Sequence, residues 1–261
     1  MSLRILYVGD VMGQAGRTAF ARGAGKLRRT AEVDCIVVNG ENAAAGRGIT
    51  PALCDELFAA GADLITLGDH TWDQKEILPH LDRETRLVRP ANYAPGCPGR
   101  GLASIEINGV RISVLVLQGL VFMSPADCPF RCVDDLLKRT GNLGRVVLVE
   151  IHAEATSEKC AMGHYLDGRV AAVVGTHTHI QTADERILPQ GTAYLTDLGL
   201  TGPDHSVIGM DIGTVMPRFL TGLPSKFEVA AGPLYLHGAL IDVDEKTGRA
   251  KKIKRVREAV E

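Results

Sequence analysis

The sequence predicts an α/β domain built on a parallel sheet, and two observations lead there. Between Ile5 and His80 a strand, a polar loop and a helix follow one another three times, the pattern that right-handed crossovers assemble into parallel strands. Each loop also carries an acidic, amide or imidazole side chain just after its strand, where open α/β sheets place functional groups. At 261 residues the chain is long enough for one such domain with a substantial core, and residues 1–261 read as that single domain.

The elements follow in order. Residues 5–8 form the first strand, the turn out of it carries Asp10, and a helix runs from about Arg17 to Arg29. The glycines of that turn do not spell Gly-x-Gly-x-x-Gly, and no Gly-Lys-Ser/Thr follows, which argues against a nucleotide-cofactor loop. Residues 35–38 form the second strand, ending at Asn39-Gly40-Glu41-Asn42, with Thr50 placed to cap a helix ahead of Pro51. Residues 64–67 form the third, ending at Gly68-Asp69-His70 before a short helix to about His80. Residues 102–106 and 110–115 flank Asn108-Gly109 and read as a hairpin suited to a second sheet packed on the first.

A helix over 133–140 then leads to a strand at 146–151 that is closed by His152, and a further helix spans about 156–164. The apolar run 170–174 reads as a buried strand ending at Gly175, followed by Thr176-His177-Thr178-His179. If the chain stays extended past Gly175, His177 and His179 present both imidazoles on one side. Residues 193–197 read as another strand leading into a glycine-rich stretch, 198–203. Residues 227–243 read as strands joined by Gly232-Pro233, and the basic tail Lys251-Lys252-Ile253-Lys254-Arg255 as a solvated edge strand rather than a nucleic-acid patch.

Composition removes several classes. With 45% hydrophobic and 23% charged residues the chain is ordinary globular protein, and a formal charge of -2 gives no field for non-specific nucleic-acid binding. No apolar run approaches the roughly 20 residues of a membrane helix. No signal peptide precedes the first strand, and the six cysteines follow no framework spacing. A soluble, cytoplasmic protein with reduced thiols is the expectation. Cys128-x-x-x-Cys132 could be half of a zinc site, but no second pair at matching spacing accompanies it.

Five strand ends together supply Asp10, Glu41 with Asn42, Asp69 with His70, His152, and His177 with His179. Mixed nitrogen and oxygen donors in this number exceed what one zinc needs and suit two first-row ions sharing a carboxylate, such as iron or manganese. His80, His164, His205 and His237 stay outside the set. Tyr93 and Trp72 are candidates for stacking on a base, with core packing the plainer role for Trp72.

Gly9-Asp10-Val11, Asn39-Gly40-Glu41-Asn42, Gly68-Asp69-His70, His152 and Gly175-Thr176-His177-Thr178-His179 resemble the motifs of the calcineurin-like metallophosphoesterases. Val38 to Ala44, Ile151 to Lys159 and Thr196 to Pro203 are similar to their YmdB branch of bacterial cyclic-nucleotide phosphodiesterases, and the likeness runs in matching order to about Gly209. The resemblance implies a four-layer α/β/β/α sandwich with a di-metal centre, whose ions are divalent or mixed-valence, at the strand ends. It implies Asp10 and His179 on one metal, Glu41 bridging, and His152, His177 and residue 69 on the other, with Asn42 near the first metal or the phosphate. Thr178 would then set the spacing between the ions.

His70 would be the general acid in hydrolysis of a small phosphodiester, such as a 2',3'- or 3',5'-cyclic nucleotide, by metal-activated water. Two departures from the broader pattern stand out. No histidine occurs two residues after Asp10, and Asp69 stands where the pattern Gly-Asn-His has asparagine. A phosphomonoesterase on the same centre and a catalytically weak nucleotide sensor are the other readings, and a homo-oligomer is left open. Amidohydrolases also use His-x-His, but early in a barrel, whereas this pair comes late.

Overall fold

The computed structural model describes residues 2–139 and 143–260. The chain opens with β1 (Ser2–Val8), the short β2 (Asp10–Val11) and α1 (Gly13–Thr30). Alternation decides how β1 is used: Ile5 and Tyr7 enter the core between the two sheets, while Leu6 and Val8 pack under the outer helices. α1 begins at Gly13 rather than near Arg17, because Gly16 N–H already bonds back to the Met12 carbonyl at 2.7 Å and draws the glycine-bearing turn into the helix.

The repeats continue through β3 (Cys35–Asn39), α2 (Pro51–Ala59) and β4 (Leu64–Thr66), then a single 3-10 turn (Lys75–Ile77), α3 (Leu78–Arg83) and β5 (Leu87–Val88). Thr50 caps α2 as expected, its hydroxyl accepting from Leu53 N at 3.4 Å ahead of Pro51. The predicted hairpin is β6 (Leu102–Ile107) and β7 (Val110–Gln118), and Asn108 and Gly109 take the left-handed conformations its tight turn demands. There follow α4 (Pro129–Arg139), β8 (Val146–His152), α5 (Thr156–Tyr165) and β9 (Ala172–Thr176). Thr140, the expected end of α4, lies outside the described residues. The last third holds β10 (Arg186–Ile187), β11 (Ala193–Leu195), β12 (Leu200–Pro203), α6 (Ile212–Thr221), β13 (Leu234–Asp244) and β14 (Ala250–Val260).

One sheet runs in the order β2-β12-β13-β1-β3-β4-β5, with β14 on the free side of β13; the other runs β10-β11-β9-β8-β7-β6. β1, β3, β4 and β5 are mutually parallel, as the three repeats predict, and β7, β8, β9 and β11 form a second parallel set. The sheets face each other across a core that includes Ile5, Tyr7, Val37 and Leu64 from one, and Val114, Val116, Leu148 and Val174 from the other. Phe20, Ala24 and Leu57 cover the outer face of the first sheet, and Val133 and Met162 that of the second. The fold is therefore the α/β/β/α sandwich that the resemblance implies, and its parallel strand ends open along one edge.

Four local expectations need correction. The chain is not extended past Thr176: His177 has φ +90° and His179 φ +64°, so the two imidazoles do not share a strand face. The strand at 193–197 stops at Leu195, because the Thr196 and Asp197 amides turn to side-chain acceptors, Asp184 Oδ1 and Thr182 Oγ1. The glycine-rich stretch that follows is itself a strand, β12, lying parallel to β2 with Leu200 opposite Asp10. Regular pairing in the 227–243 region begins only at Leu234. Before it there is an isolated bridge from Met210 to Val229, since Gly232 is at φ +135° and Pro233 lacks a donor. The tail is the expected edge strand, β14.

Candidate metal centre

The side chains singled out at five strand ends converge where the two sheets meet. Asp10 follows β1, Glu41 and Asn42 follow β3, and Asp69 and His70 follow β4. His152 closes β8, and His177 and His179 lie just past β9. In the second sheet Gln118, His152 and Thr176 stand abreast in register, which holds the His152 backbone firmly. Close approach of β4 depends on Gly68, where a Cβ would fall 2.3 Å from His152 Nε2 and 2.4 Å from Glu41 Oε2.

Two groups of donors are distinguishable. Glu41, Asp69, His152 and His177 offer ligand atoms that all lie within 4.8 Å of one another. His152 Nε2 is 2.8 Å from Asp69 Oδ1, 3.0 Å from Glu41 Oε1 and 3.1 Å from His177 Nδ1, and His177 Nδ1 is 3.2 Å from Asp69 Oδ1. On the other side His179 Nε2 lies 3.8 Å from Asp10 Oδ1, its Nδ1 being held 3.2 Å from the Ile208 carbonyl. Asn42 Nδ2 donates to the Gly46 carbonyl at 3.0 Å, which leaves its oxygen for the site.

Three buried oxygens here make no well-formed hydrogen bond: Asp10 Oδ1, Asn42 Oδ1, and Glu41 Oε1, which has the ion-pair contact to His152 Nε2 at 3.0 Å. Buried acceptors are ordinarily satisfied, and first-row divalent ions are what a mixed set of carboxylate, amide and imidazole groups binds. The residues present fit a metal centre.

Beneath the donors runs a buried network. His152 Nδ1 is 2.8 Å from Thr176 Oγ1, and Thr176 Oγ1 donates to Glu150 Oε1 at 2.7 Å. Asn39 Nδ2 donates to the same oxygen at 2.7 Å, and Tyr7 OH donates to Glu150 Oε2 at 2.8 Å. Asn39 Oδ1 in turn accepts from Glu41 N at 3.0 Å. One buried carboxylate thus orients ligand-bearing residues on both sheets.

The charges are strongly coupled. Burial and the Glu41 charge push the Asp10 carboxyl well above the usual carboxylate range. Burial opposes ionisation of Asp69, but hydrogen bonds from His152 and His177 hold its carboxyl far below its ordinary value. For His152 burial favours the neutral ring, yet Glu41 and Asp69 outweigh it and raise the imidazole well above its ordinary value. His179 is lowered by burial. A ligand must be a neutral imidazole or an ionised carboxylate, so a metal held by His152 and Asp10 would have to expel their protons. Affinity for a divalent ion at such a site is therefore expected to rise with pH from about 6 to 8, with net proton release. Calorimetry in buffers of different ionisation enthalpy measures it, and a pH-independent affinity without proton release would contradict the assignment.

The sequence model of the YmdB-like protein family matches residues 6–256. The chain belongs to this family. A Bacillus subtilis relative named 2',3'-cyclic-nucleotide 2'-phosphodiesterase is 48% identical over 254 residues, spanning 97% of this chain and 96% of that protein. A Thermus thermophilus crystal structure, described as a hypothetical protein, superposes with a TM-score of 0.92 at 44% identity over 98% of this chain and 99% of that one. A Mycoplasma pneumoniae crystal structure, described as a novel phosphatase, gives a TM-score of 0.94 at 34% identity over 99% and 94%.

In this YmdB-like chain all eight singled-out side chains lie at the same edge, but His70 stands apart from the donor groups. Its Nδ1 is 3.0 Å from Asp73 Oδ2, and its backbone N–H donates to Glu41 Oε2 at 3.2 Å. Trp72 packs on the outer core with its ring 5.4 Å from that of Tyr93, a half-buried residue whose hydroxyl donates to the Gly68 carbonyl at 3.0 Å. Sequence reading gave no role to Glu150, or to Thr176, Lys159 and Asp197, although the last three fall within the motifs of the resemblance. A lone acid inside the apolar strand 146–151, and an acid at a sixth strand end, were the available signals.

Proposed function

We propose that this chain is a metal-dependent phosphodiesterase acting on small phosphodiesters, cyclic nucleotides foremost, at a two-ion centre. The observation that carries the reading is the division of donors into two groups, with the Glu41 charge acting on Asp10 and His179 as well as on His152. Glu41, Asp69, His152 and His177 would hold one ion, and Asp10, Asn42 and His179, again with Glu41, the other. Iron and manganese suit this mixed oxygen and nitrogen set. Such ions supply Lewis acidity toward phosphoryl oxygens and lower the pKa of water.

The chain's own groups do the rest. Thr176 and Glu150 fix the orientation of the His152 ring. Asp73 engages His70 Nδ1 and leaves Nε2 to give a proton to the departing sugar oxygen. No helix among the described residues is long and apolar enough to cross a membrane, and six free cysteines suit a reducing cytoplasm.

The test is a panel of 2',3'- and 3',5'-cyclic nucleotides, bis(p-nitrophenyl) phosphate and a phosphomonoester, each with and without manganese or iron. Turnover of the diesters that depends on added metal is expected. Tight nucleotide binding without turnover under any metal would replace the enzyme by a sensor, and preference for the monoester would replace the diesterase by a phosphatase.

Asp69 adds a prediction. Its ionised carboxylate removes one unit of positive charge from a site that must attract and clamp phosphoryl oxygens. Asp69→Asn is expected to retain metal and to turn over one phosphodiester faster than the parent chain. Side-by-side kcat and metal content decide it, and an equal or slower variant would refute the charge argument.

A further inference from the structure

We propose that the buried pair Lys159–Asp197 is a positioning device that sets the spacing of the two ion sites by gripping the turn between His177 and His179. Lys159 Nζ donates to Asp197 Oδ2 at 2.7 Å, and both side chains are 0% exposed. The same oxygen accepts from Thr178 N at 3.2 Å and from Thr178 Oγ1 at 2.7 Å, and Lys159 Nζ is itself 3.2 Å from Thr178 Oγ1. The other oxygen, Oδ1, accepts from Gly199 N at 2.8 Å.

These contacts reach both halves of the centre. Thr178 is the one residue between His177 and His179, which fall in different donor groups. Gly199 leads into β12, whose first residue, Leu200, lies opposite Asp10 in the parallel pairing with β2. One carboxylate therefore references His177, His179 and the strand beside Asp10 to a single point. Gly175 belongs to the same arrangement: a Cβ there would fall 1.8 Å from the Thr196 carbonyl oxygen and 2.9 Å from Lys159 Cδ, so only glycine lets the lysine stem pass under β9.

Strain and charge both argue that this is more than packing. His177 and His179 hold positive φ without being glycine, a strained conformation that persists only where the surroundings over-determine it. A buried ion pair is seldom the most stable filling for its volume, since apolar replacement of both partners is often neutral or stabilising. What the pair supplies here is a fixed direction for four donors around one carboxylate.

The proposal rests on the two-ion reading, and the experiment separates their failures. Manganese is titrated into full-length chains, with stoichiometry, affinity and the electron paramagnetic resonance spectrum as readouts. Thermal stability is measured in chelator. The parent chain is expected to bind two ions with a spin-coupled spectrum. Thr178→Val, which keeps the shape and loses the hydroxyl, is expected to weaken binding by about 10- to 100-fold and to replace the coupled signal with that of isolated ions. Thr178→Ser should restore parent behaviour.

The double variant Lys159→Met/Asp197→Leu, which also leaves the Thr178 and Gly199 amides without their acceptor, is expected to lose the coupled signal; a chain that still melts cooperatively in chelator but shows no coupling is an outcome that a merely structural pair would not give. Folded Thr178→Val and double variants that bind two ions with parent affinity and coupling would overturn the proposal alone. A parent chain that binds one ion or none would overturn the two-ion reading and this proposal with it.

Discussion

Glu41→Ala is expected to lose most bound metal and to lower phosphodiester turnover by more than the roughly 10- to 100-fold that replacing an outer-sphere partner costs. The Glu41 charge acts on both donor groups: it pairs with His152 and bears on Asp10 and His179. Glu41 Oε1 is buried with an ion-pair contact of 3.0 Å to His152 Nε2, and its charge is the largest after burial among the influences on Asp10. Its Oε2 accepts from the His70 backbone, so the same carboxylate also seats the residue proposed as the acid. Removing it would leave His152 paired with Asp69 alone and would take from Asp10 its carboxylate neighbour.

The two consequences differ in sign for the chain without metal. Loss of like-charge repulsion eases ionisation of Asp10, while loss of attraction lets the His152 imidazole fall toward its ordinary value. The variant is therefore expected to fold, and thermal melting in chelator beside metal analysis checks that turnover is lost through the ions. Retention of two ions per chain with near-parent kcat would remove Glu41 from the centre.

The ligand-type residues were legible because parallel strands bring their ends to one edge, so position along each strand sufficed to gather Asp10, Glu41, Asn42, Asp69, His70, His152, His177 and His179. The hairpin and the edge character of β14 were likewise written in local pattern, namely Asn108-Gly109 and charges broken by Ile253 and Val256. What local pattern could not give was the backbone past Thr176. Alternation extends a strand by default, whereas the reversal at His177 and His179 is imposed by Asp197, distant in sequence and held by a lysine. The role of that lysine was hidden for a related reason: a lysine on a short helix is ordinarily solvent-facing, and Lys159 turns inward to a charge that only the tertiary structure supplies. β12 was hidden by its glycine and proline, which argue against a strand unless the partner, here the residues after β1, is known.

The geometry around His70 leads to the second large effect. His70→Ala is expected to lower kcat on a cyclic nucleotide by about 10²- to 10⁴-fold, the range spanned by general acid–base groups, while leaving metal content intact. His70 is absent from the cluster of Glu41, Asp69, His152 and His177, and its ring nitrogen Nδ1 is engaged by Asp73 rather than by any donor of the centre. The decisive feature is dependence on the leaving group. A ribose oxygen leaves as a strongly basic alkoxide unless it is protonated in the transition state, so its departure needs the acid. A p-nitrophenolate is stable as an anion and leaves without one. The variant should therefore lose far more activity on the cyclic nucleotide than on bis(p-nitrophenyl) phosphate, and Asp73→Asn should show a weaker form of the same asymmetry. Equal losses on both substrates with metal retained would assign His70 to binding the phosphate, and loss of the ions would make it a ligand.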